Sequence, residues 1–259
     1  MIPKETLTEY LHAAGIPAAG TVPFSACKIQ KQHLLTFPAK TALMFLIPYY
    51  VPTGEHNLSL YAVAGDYHYY LRGFFDRILP TLHDAFPDAS FAGFTDHSPI
   101  DEREAAAKAG LGIFGDNGLL IHPRYGTFHF IGEILTDLET DAEVHEIGHC
   151  EHCGRCRTAC PTPGDCLSAL TQKKGVLTAE EEATILRHGS CWGCDACQNC
   201  CPHNRNIEET PIDFFHRDRI PILTSERLDA MSDEFFATRA YAWRGRAVIA
   251  RNLALFERD

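Results

Sequence analysis

The chain has 259 residues, enough for one sizeable core and a small second domain. Its formal net charge of −11 disfavours broad, non-specific binding to the phosphate backbone of nucleic acids. No apolar run reaches the ~18 residues that cross a bilayer, and the N-terminus lacks a basic segment followed by an apolar one. We therefore expect a cytoplasmic protein without a signal peptide.

Helices and strands alternate in the first part of the chain. A first helix is predicted over residues 4–14 and ends at Gly15, which suits the left-handed position after a helix. The other predicted elements, in chain order, are a strand over 41–47, a long helix over 66–86 with a kink or break at Pro80, and a strand over 91–95.

The next helix is predicted from its boundary residues. Ser98 suits the N-cap, Pro99 the first helical position and Asp101 the third, and Gly110 ends the helix. Two strands follow, near residues 119–122 and 127–135, joined by a turn.

Eleven cysteines are present, and ten of them lie between Cys150 and Cys201. An odd number of cysteines crowded into one part of a cytoplasmic chain indicates metal ligands rather than disulfides. The run from Cys150 has the spacing C-x2-C-x2-C-x3-C-P, and the run from Cys194 has C-x2-C-x3-C-P. The first is the spacing of bacterial ferredoxins, in which the last cysteine ligates the other cluster. Structural zinc is the alternative, but two runs that each end in Cys-Pro favour two [4Fe–4S] clusters.

Exchange of the fourth ligands between the runs predicts two sets of four cysteines. One cluster takes Cys150, Cys153, Cys156 and Cys201, and the other takes Cys160, Cys166, Cys194 and Cys197. Cys191 and Cys200 compete for these places and are interpreted as spare buried thiols. Cys27 stands apart from both runs and is interpreted as a small buried residue.

These patterns predict an α+β fold in three parts. The first is a mixed α+β domain over residues 1–147, the second a double-cluster, ferredoxin-like domain over 148–210, and the third a helical tail over 211–259. Within the second, a helix is predicted from Thr178 to Gly189. A G-x-G-x-x-G match from Gly110 to Gly115 lies between a helix and a strand. A dinucleotide site needs the opposite order, so we reject that interpretation.

Six ordered segments carry a resemblance to a known family. They read Tyr61-Ala-Val-Ala-Gly-Asp-Tyr-His68, Asp96-His-Ser-Pro-Ile-Asp-Glu-Arg103, Ala109-Gly-Leu-Gly-Ile-Phe-Gly-Asp-Asn117, Cys166-Leu-Ser-Ala-Leu-Thr171, Gly193-Cys-Asp-Ala-Cys-Gln-Asn-Cys-Cys-Pro-His-Asn204 and Arg246-Ala-Val-Ile-Ala-Arg-Asn252. With them, the chain resembles the cobalamin-dependent epoxyqueuosine reductases, which complete the queuosine modification of tRNA and share a corrinoid-binding domain and a double-cluster domain with reductive dehalogenases.

The resemblance implies base-off cobalamin, two [4Fe–4S] clusters and a low-potential electron donor of the flavodoxin or ferredoxin type. The substrate implied is epoxyqueuosine in tRNA or a related small molecule, which loses its epoxide oxygen. Asp96 is implied as the catalytic proton donor. The implied cofactor-binding residues are Tyr61, Asp66, Tyr67, His68, Gly112, Gly115 and Asn117.

Three departures from the family pattern stand out. Asp116 replaces the usual lysine, the loop between Cys160 and Cys166 is short, and the chain stops where the family's helical repeats continue. We therefore expect a truncated form of the family.

Other interpretations of the same residues stay open at this point. Asp96 could cap a helix, Asp66 could favour a first helical turn, and Glu102 with Arg103 could be a surface pair. The glycines could serve a tight turn. The whole protein could be an electron carrier without a substrate or a corrinoid-processing protein.

Overall fold

The computed structural model describes residues 1–162 and 164–257, and the chain forms two compact units. The first unit comprises Met1–Pro48 and Tyr70–Cys153, and the second comprises Tyr49–Tyr69 and the chain from Gly154 onwards. The mixed α+β class predicted from the sequence is confirmed. The three-part division stays a prediction, and the last two residues of its tail lie outside the described residues.

The described residues contain six strands and eleven α-helices. The strands are β1 (Ala18–Pro23), β2 (Thr41–Pro48), β3 (Phe91–Phe94), β4 (Ile113–Phe114), β5 (Leu120–Ile121) and β6 (His129–Thr136). The helices are α1 (Lys4–Ala13), α2 (Leu60–Val63), α3 (Tyr67–Ala85), α4 (Glu102–Lys108), α5 (Arg155–Ala159), α6 (Leu167–Thr171), α7 (Ala179–His188), α8 (Ala196–Asn199), α9 (Ser225–Asp229), α10 (Asp233–Ala237) and α11 (Arg246–Phe256). None of the helices in the described parts is both long and apolar enough to cross a membrane.

A four-stranded antiparallel sheet is the centre of the first unit. Its strand order is β1-β2-β6-β3, and β4 pairs with β5 in a separate two-stranded sheet. Every residue of β2 is buried because helices cover both faces of the sheet. On one face Ala42 and Met44 pack with Ala105 and Ala106 of α4, and on the other Phe45 contacts Phe74 of α3 at 5.3 Å between ring centroids.

The second unit is built from short helices around an aromatic core. Trp192 is fully buried and lies 6.2 Å from the ring of Tyr241, measured between centroids. Leu58, Ala62 and Val63 pack into the same core. Since these three residues precede the cysteine runs by more than eighty positions, packing rather than sequence order joins them to the second unit.

Most element predictions are confirmed, and one cap assignment is wrong. Gly15 follows α1 with a φ of +89°, and a capping box at Thr178 begins α7. The chain does not break at Pro80, because α3 continues through it from Tyr67 to Ala85. However, α4 begins at Glu102, and its N-cap is Asp101, which accepts a hydrogen bond from the amide of Glu104. Ser98 does not cap this helix because its hydroxyl bonds Ile100 and Glu133 instead.

Candidate functional site

The Asp96 loop, residues 95–98, connects β3 to the segment before α4 in the first unit. Asp96 has a φ of +55°, a left-handed conformation that costs a non-glycine residue energy and concentrates at functional sites. Its amide donates to a carboxylate oxygen of Glu102 at 3.1 Å. Since Asp101 caps α4, the helix-cap explanation for Asp96 does not hold.

Glu102 lies beside this loop with an unusual proton affinity. Burial raises its pKa from 4.5 to about 7, and the negative charge of Asp96 adds to the shift. Its interpretation as half of a simple surface ion pair is therefore wrong, because the carboxyl faces the Asp96 loop instead of solvent. Arg103 points elsewhere and donates to the carbonyl oxygen of Gly118 at 2.7 Å.

Glu133 is a residue of this region that sequence reasoning missed. It lies on β6, is 0% exposed, and contacts the Ser98 hydroxyl at 2.6 Å. Burial raises its pKa from 4.5 to about 8. The signal in the sequence was a single acidic residue inside the apolar run from Phe130 to Leu135, where strand alternation places it facing the core.

The segment around Tyr61 belongs to the second unit and is bonded to the second cysteine run. The Tyr61 hydroxyl accepts from the indole nitrogen of Trp192 at 2.8 Å. The Asp195 carboxylate accepts from the Ser59 hydroxyl at 2.5 Å and from the Leu60 amide at 2.7 Å. Asp195 lies between two predicted cluster ligands, so the Tyr61 segment and the cysteine loop share one hydrogen-bonded structure.

Asp66, Tyr67 and His68 mark the start of α3. One oxygen of Asp66 accepts from the backbone amide of His68 at 2.9 Å and contacts its imidazole Nδ1 at 2.7 Å. The Tyr67 ring lies 4.2 Å from the imidazole, measured between centroids. The acidic residue therefore serves the first helical turn, as one of the open interpretations held, and it also orients the half-exposed His68.

Gly112, Gly115 and Asn117 lie together in the first unit, around the β4–β5 pair. A Cβ on Gly112 would lie 2.4 Å from the carbonyl oxygen of Ile121, and one on Gly115 would lie 2.5 Å from the Asn117 side-chain oxygen. Internal packing thus explains both glycines. The Asn117 amide nitrogen is different, because it is buried and bonds no group in the described chain. A ligand with a carbonyl or hydroxyl oxygen would satisfy that donor.

Two thiols of the second unit, those of Cys194 and Cys197, are affected by the charges of neighbouring cysteines. The pKa of Cys194 is raised first by burial and then in part by Cys166 and Cys160, and burial, Cys194 and Cys166 raise that of Cys197 to about 11. These are the four cysteines predicted for one cluster. Mutually repelling thiolates need a metal to stay together, and four convergent thiolates are the donor set of a [4Fe–4S] cluster.

The four cysteines predicted to ligate the other cluster belong to different units. Cys150 and Cys153 belong to the first, and Cys156 and Cys201 to the second. The Cys150 amide donates to the carbonyl of Phe114 at 2.9 Å. Asp116, the departure from the family pattern, contacts the imidazole Nδ1 of His152 at 2.7 Å, and both lie within 4.8 Å of the Cys150 sulfur.

The remaining cysteines have other surroundings. Cys191 is fully buried in the aromatic core, donates to the carbonyl of Asn57 at 3.0 Å, and has a pKa raised to about 12 by burial. Cys200 is half-buried and donates to the carbonyl of Cys197 at 3.5 Å. Cys27 is half-buried against the core of the first unit. These contacts are those of structural thiols.

Comparison with known proteins identifies the family. No family model matches the sequence. The chain is 33% identical over 198 residues to the epoxyqueuosine reductase of Gloeobacter violaceus, 32% over 208 residues to that of Lactococcus garvieae, and 34% over 194 residues to that of Escherichia coli. The chain belongs to the epoxyqueuosine reductase family. The matches cover 71%, 73% and 69% of this chain but only 62%, 57% and 50% of those relatives.

Solved structures share the fold. The epoxyqueuosine reductase of Streptococcus thermophilus aligns with a TM-score of 0.79 at 24% identity, over 97% of this chain and 80% of that one. An epoxyqueuosine reductase bound to an epoxyqueuosine-modified tRNA stem loop gives 0.81 over the same shares at 24% identity. A catabolic reductive dehalogenase gives 0.51 at 19% identity, over 97% of this chain and 36% of the dehalogenase.

The buried carboxyls make the stability of the protein depend on pH. The pKa values of Glu133 and Glu102 are about 8 and 7 in the folded state, against 4.5 for an ordinary, solvated glutamate. Between pH 4.5 and these raised pKa values the folded state binds more protons than the unfolded state. The free energy of unfolding therefore falls as pH rises, by about 1.4 kcal/mol per pH unit for each titrating group. His129, with a pKa lowered by burial from 6.5 to about 4, has the opposite effect below pH 6.5. We expect a net loss of stability between pH 6.5 and 8.

Urea unfolding of the cluster-loaded protein, followed anaerobically by circular dichroism, measures this loss. Glu133→Gln cannot ionise and should flatten the decline towards pH 8 relative to the wild type. A wild-type stability that is constant or rises over this interval would contradict the prediction.

Proposed function

We propose that the chain is an iron–sulfur and cobalamin-dependent reductase that removes the epoxide oxygen of epoxyqueuosine in tRNA. The observation that carries the proposal is the convergence of Cys160, Cys166, Cys194 and Cys197 in a member of this family. Thiolates so placed suit a one-electron carrier. The relatives' name supplies the reaction class, since an epoxyqueuosine reductase removes oxygen from an epoxide.

The reaction needs two electrons and two protons. Conversion of an epoxide into an alkene breaks both carbon–oxygen bonds and releases the oxygen as water. Two clusters held by the predicted cysteine ligands would carry this pair one electron at a time from a donor of the flavodoxin or ferredoxin type. Bound cobalamin would supply a low-potential cobalt centre for the reduction.

Asp96 is the residue to which we assign the proton that reaches the epoxide oxygen. Its strained backbone is held by Glu102, and its exposed side chain is open to a substrate beside that largely buried carboxyl. In the epoxyqueuosine reductase of Bacillus subtilis, a catalytic loop bearing an aspartate is found swung out of the active site. We infer that the Asp96 loop is its counterpart in this chain.

The cofactor contacts form two groups of residues. Asn117 offers a buried, unsatisfied amide donor for a corrin side-chain oxygen, with Gly112 and Gly115 fixing the turn around it. The other group consists of Tyr61, which accepts from Trp192, and of Asp66, Tyr67 and His68 at the start of α3. Each group suits polar contacts to corrin amides, and no side chain is assigned to cobalt itself.

Turnover is the test of this function. The clusters are reconstituted anaerobically, cobalamin is added, and retention of the cobalamin on gel filtration is measured with its base-off absorption. Retained cobalamin and conversion of epoxyqueuosine in tRNA are expected. Conversion of the free nucleoside alone would point to a small substrate. Loss of cobalamin on the column, with intact clusters, would favour an electron carrier and refute the proposal.

Asp96→Asn tests the proton donor. The amide keeps the size of the side chain but donates no proton, so turnover should fall by roughly 100-fold or more while cobalamin stays bound. Asp88→Asn is the control, because this aspartate is exposed and lies outside the site. Unchanged turnover in the Asp96 variant would remove Asp96 from the mechanism.

Cysteine substitution tests the cluster assignment. Cys166→Ala removes one of four convergent thiols, so about half of the iron and acid-labile sulfide should be lost. Cys191→Ala is the matched control, since that thiol bonds Asn57 in the aromatic core, and its iron content should equal that of the wild type. Equal iron loss in both variants would show that the ligand set is wrong.

A further inference from the structure

Glu133 occupies an apolar layer, and the proposed reaction does not use it. Ile131 and Leu135, its neighbours on the same face of β6, belong to the core beneath α4. Its partners in register on the adjacent strands are Met44 of β2 and Phe94 of β3, which are both apolar. Glu133 is 0% exposed. A carboxylate in such a layer needs a cation or several donors to stay charged.

The described surroundings of Glu133 contain no such compensation. No lysine, arginine or histidine in the described chain forms a salt bridge with it, and its Oε2 atom has no hydrogen-bond partner. The titratable groups near it are the carboxyl of Glu102 on α4 and the thiol of Cys27 next to β1. Lys108 of α4 is occupied by Glu104 and by the carbonyl of Ala26.

The contacts of the Ser98 hydroxyl give independent evidence on whether the Glu133 carboxyl carries a proton. Its oxygen lies 2.6 Å from Oε1 of Glu133, 3.0 Å from the carbonyl oxygen of Ile100, and 2.9 Å from the Ile100 amide. The amide donates to the hydroxyl, and the hydroxyl has one proton to give to two acceptors. If Glu133 carries a proton and donates it to Ser98, the hydroxyl serves Ile100 and all three contacts are hydrogen bonds.

This hydrogen bond anchors one end of the Asp96 loop. At the other end the Thr95 hydroxyl donates to the carbonyl of Ile131 on β6 at 3.0 Å. Between them the Asp96 amide donates to Glu102. A left-handed aspartate persists only where its neighbours hold it, and here β6 supplies both end anchors.

We propose that Glu133 is a neutral carboxylic acid that donates a hydrogen bond to Ser98 and thereby positions the Asp96 loop. Its importance for turnover rests on the role proposed for Asp96, whereas its protonation state and the loop anchor stand on the contacts alone. Glu133 is a positioning residue because it acts on Asp96 through Ser98. Ionisation would leave one hydroxyl proton for two acceptors and place a second negative charge beside Glu102.

The experiment compares four variants of the cluster-loaded full chain. Glu133→Gln keeps a neutral side chain with an N–H donor for Ser98, whereas Glu133→Leu keeps similar volume without a donor. Ser98→Ala removes the other partner. Ile134→Val is the control, on the same strand but outside the contacts. Infrared spectroscopy measures the carboxylic-acid carbonyl stretch, amide hydrogen exchange measures the loop, and turnover gives kcat and KM.

The proposal predicts a protonated-carboxyl band in the wild type at neutral pH that loses the contribution of one carboxyl in Glu133→Gln, while any contribution of Glu102 remains. That variant should keep kcat within about twofold and leave exchange over residues 95–100 slow. Glu133→Leu and Ser98→Ala should lower kcat roughly 10- to 100-fold with little change in KM and speed exchange in the loop. Their double variant should lose no more than either alone, because both remove the same bond.

Three results would overturn the proposal. These are the absence of the band from the wild type, a Gln variant as impaired as the Leu variant, and a Leu variant with wild-type exchange in the loop. Wild-type protein that converts no epoxyqueuosine refutes the proposed function instead. In that case the infrared band still decides the protonation state of Glu133, and the exchange rates still decide whether it anchors the Asp96 loop.

Discussion

The antiparallel pairing of β2 with β6 is the interaction on which the first unit depends. It places helices on both faces of a sheet whose central strand is wholly buried, so that β6 must also lie in the interior. The Asp96 loop follows the neighbouring strand β3 and is hydrogen-bonded to Ile131 and Glu133 of β6. The position of the proposed proton donor is thus fixed by strand register rather than by a helix cap.

In both units burial raises the pKa of acidic side chains. Carboxyls near the Asp96 loop and thiols of the cysteine runs lose hydration, which raises their pKa and disfavours charge. The carboxyls can remain protonated and still be satisfied by a single hydrogen bond. Among the neighbouring thiols, that of Cys194 contacts the imidazole Nε2 of His188 at 3.4 Å, and the proposed cluster would relieve the repulsion between thiolates by coordinating them. The same physical cost therefore favours a proton at one site and metal at the other.

The second unit joins the segment around Tyr61 to the second cysteine run. The Asp195 carboxylate accepts hydrogen bonds from the Ser59 hydroxyl and the Leu60 amide, and the Trp192 indole donates to the Tyr61 hydroxyl. The buried Arg239 supports the same segment by donating to the carbonyl of Val63 at 2.7 Å. The Tyr61 segment and the second cysteine run, for which we propose cofactor contacts and cluster ligands, are in this way joined by hydrogen bonds within one unit.

The sequence by itself determined the mixed α+β class and most elements, because periodicity and caps are local properties. Its ordered motifs also carried the resemblance to the epoxyqueuosine reductases. It also selected Asp96 from a motif. Only the tertiary structure showed that Asp101 caps α4, that Ser98 bonds Glu133, and that Cys191 belongs to the aromatic core. These outcomes depend on contacts between residues distant in the chain. A lone acidic residue in an apolar strand reveals its role only when register and packing decide which groups surround it.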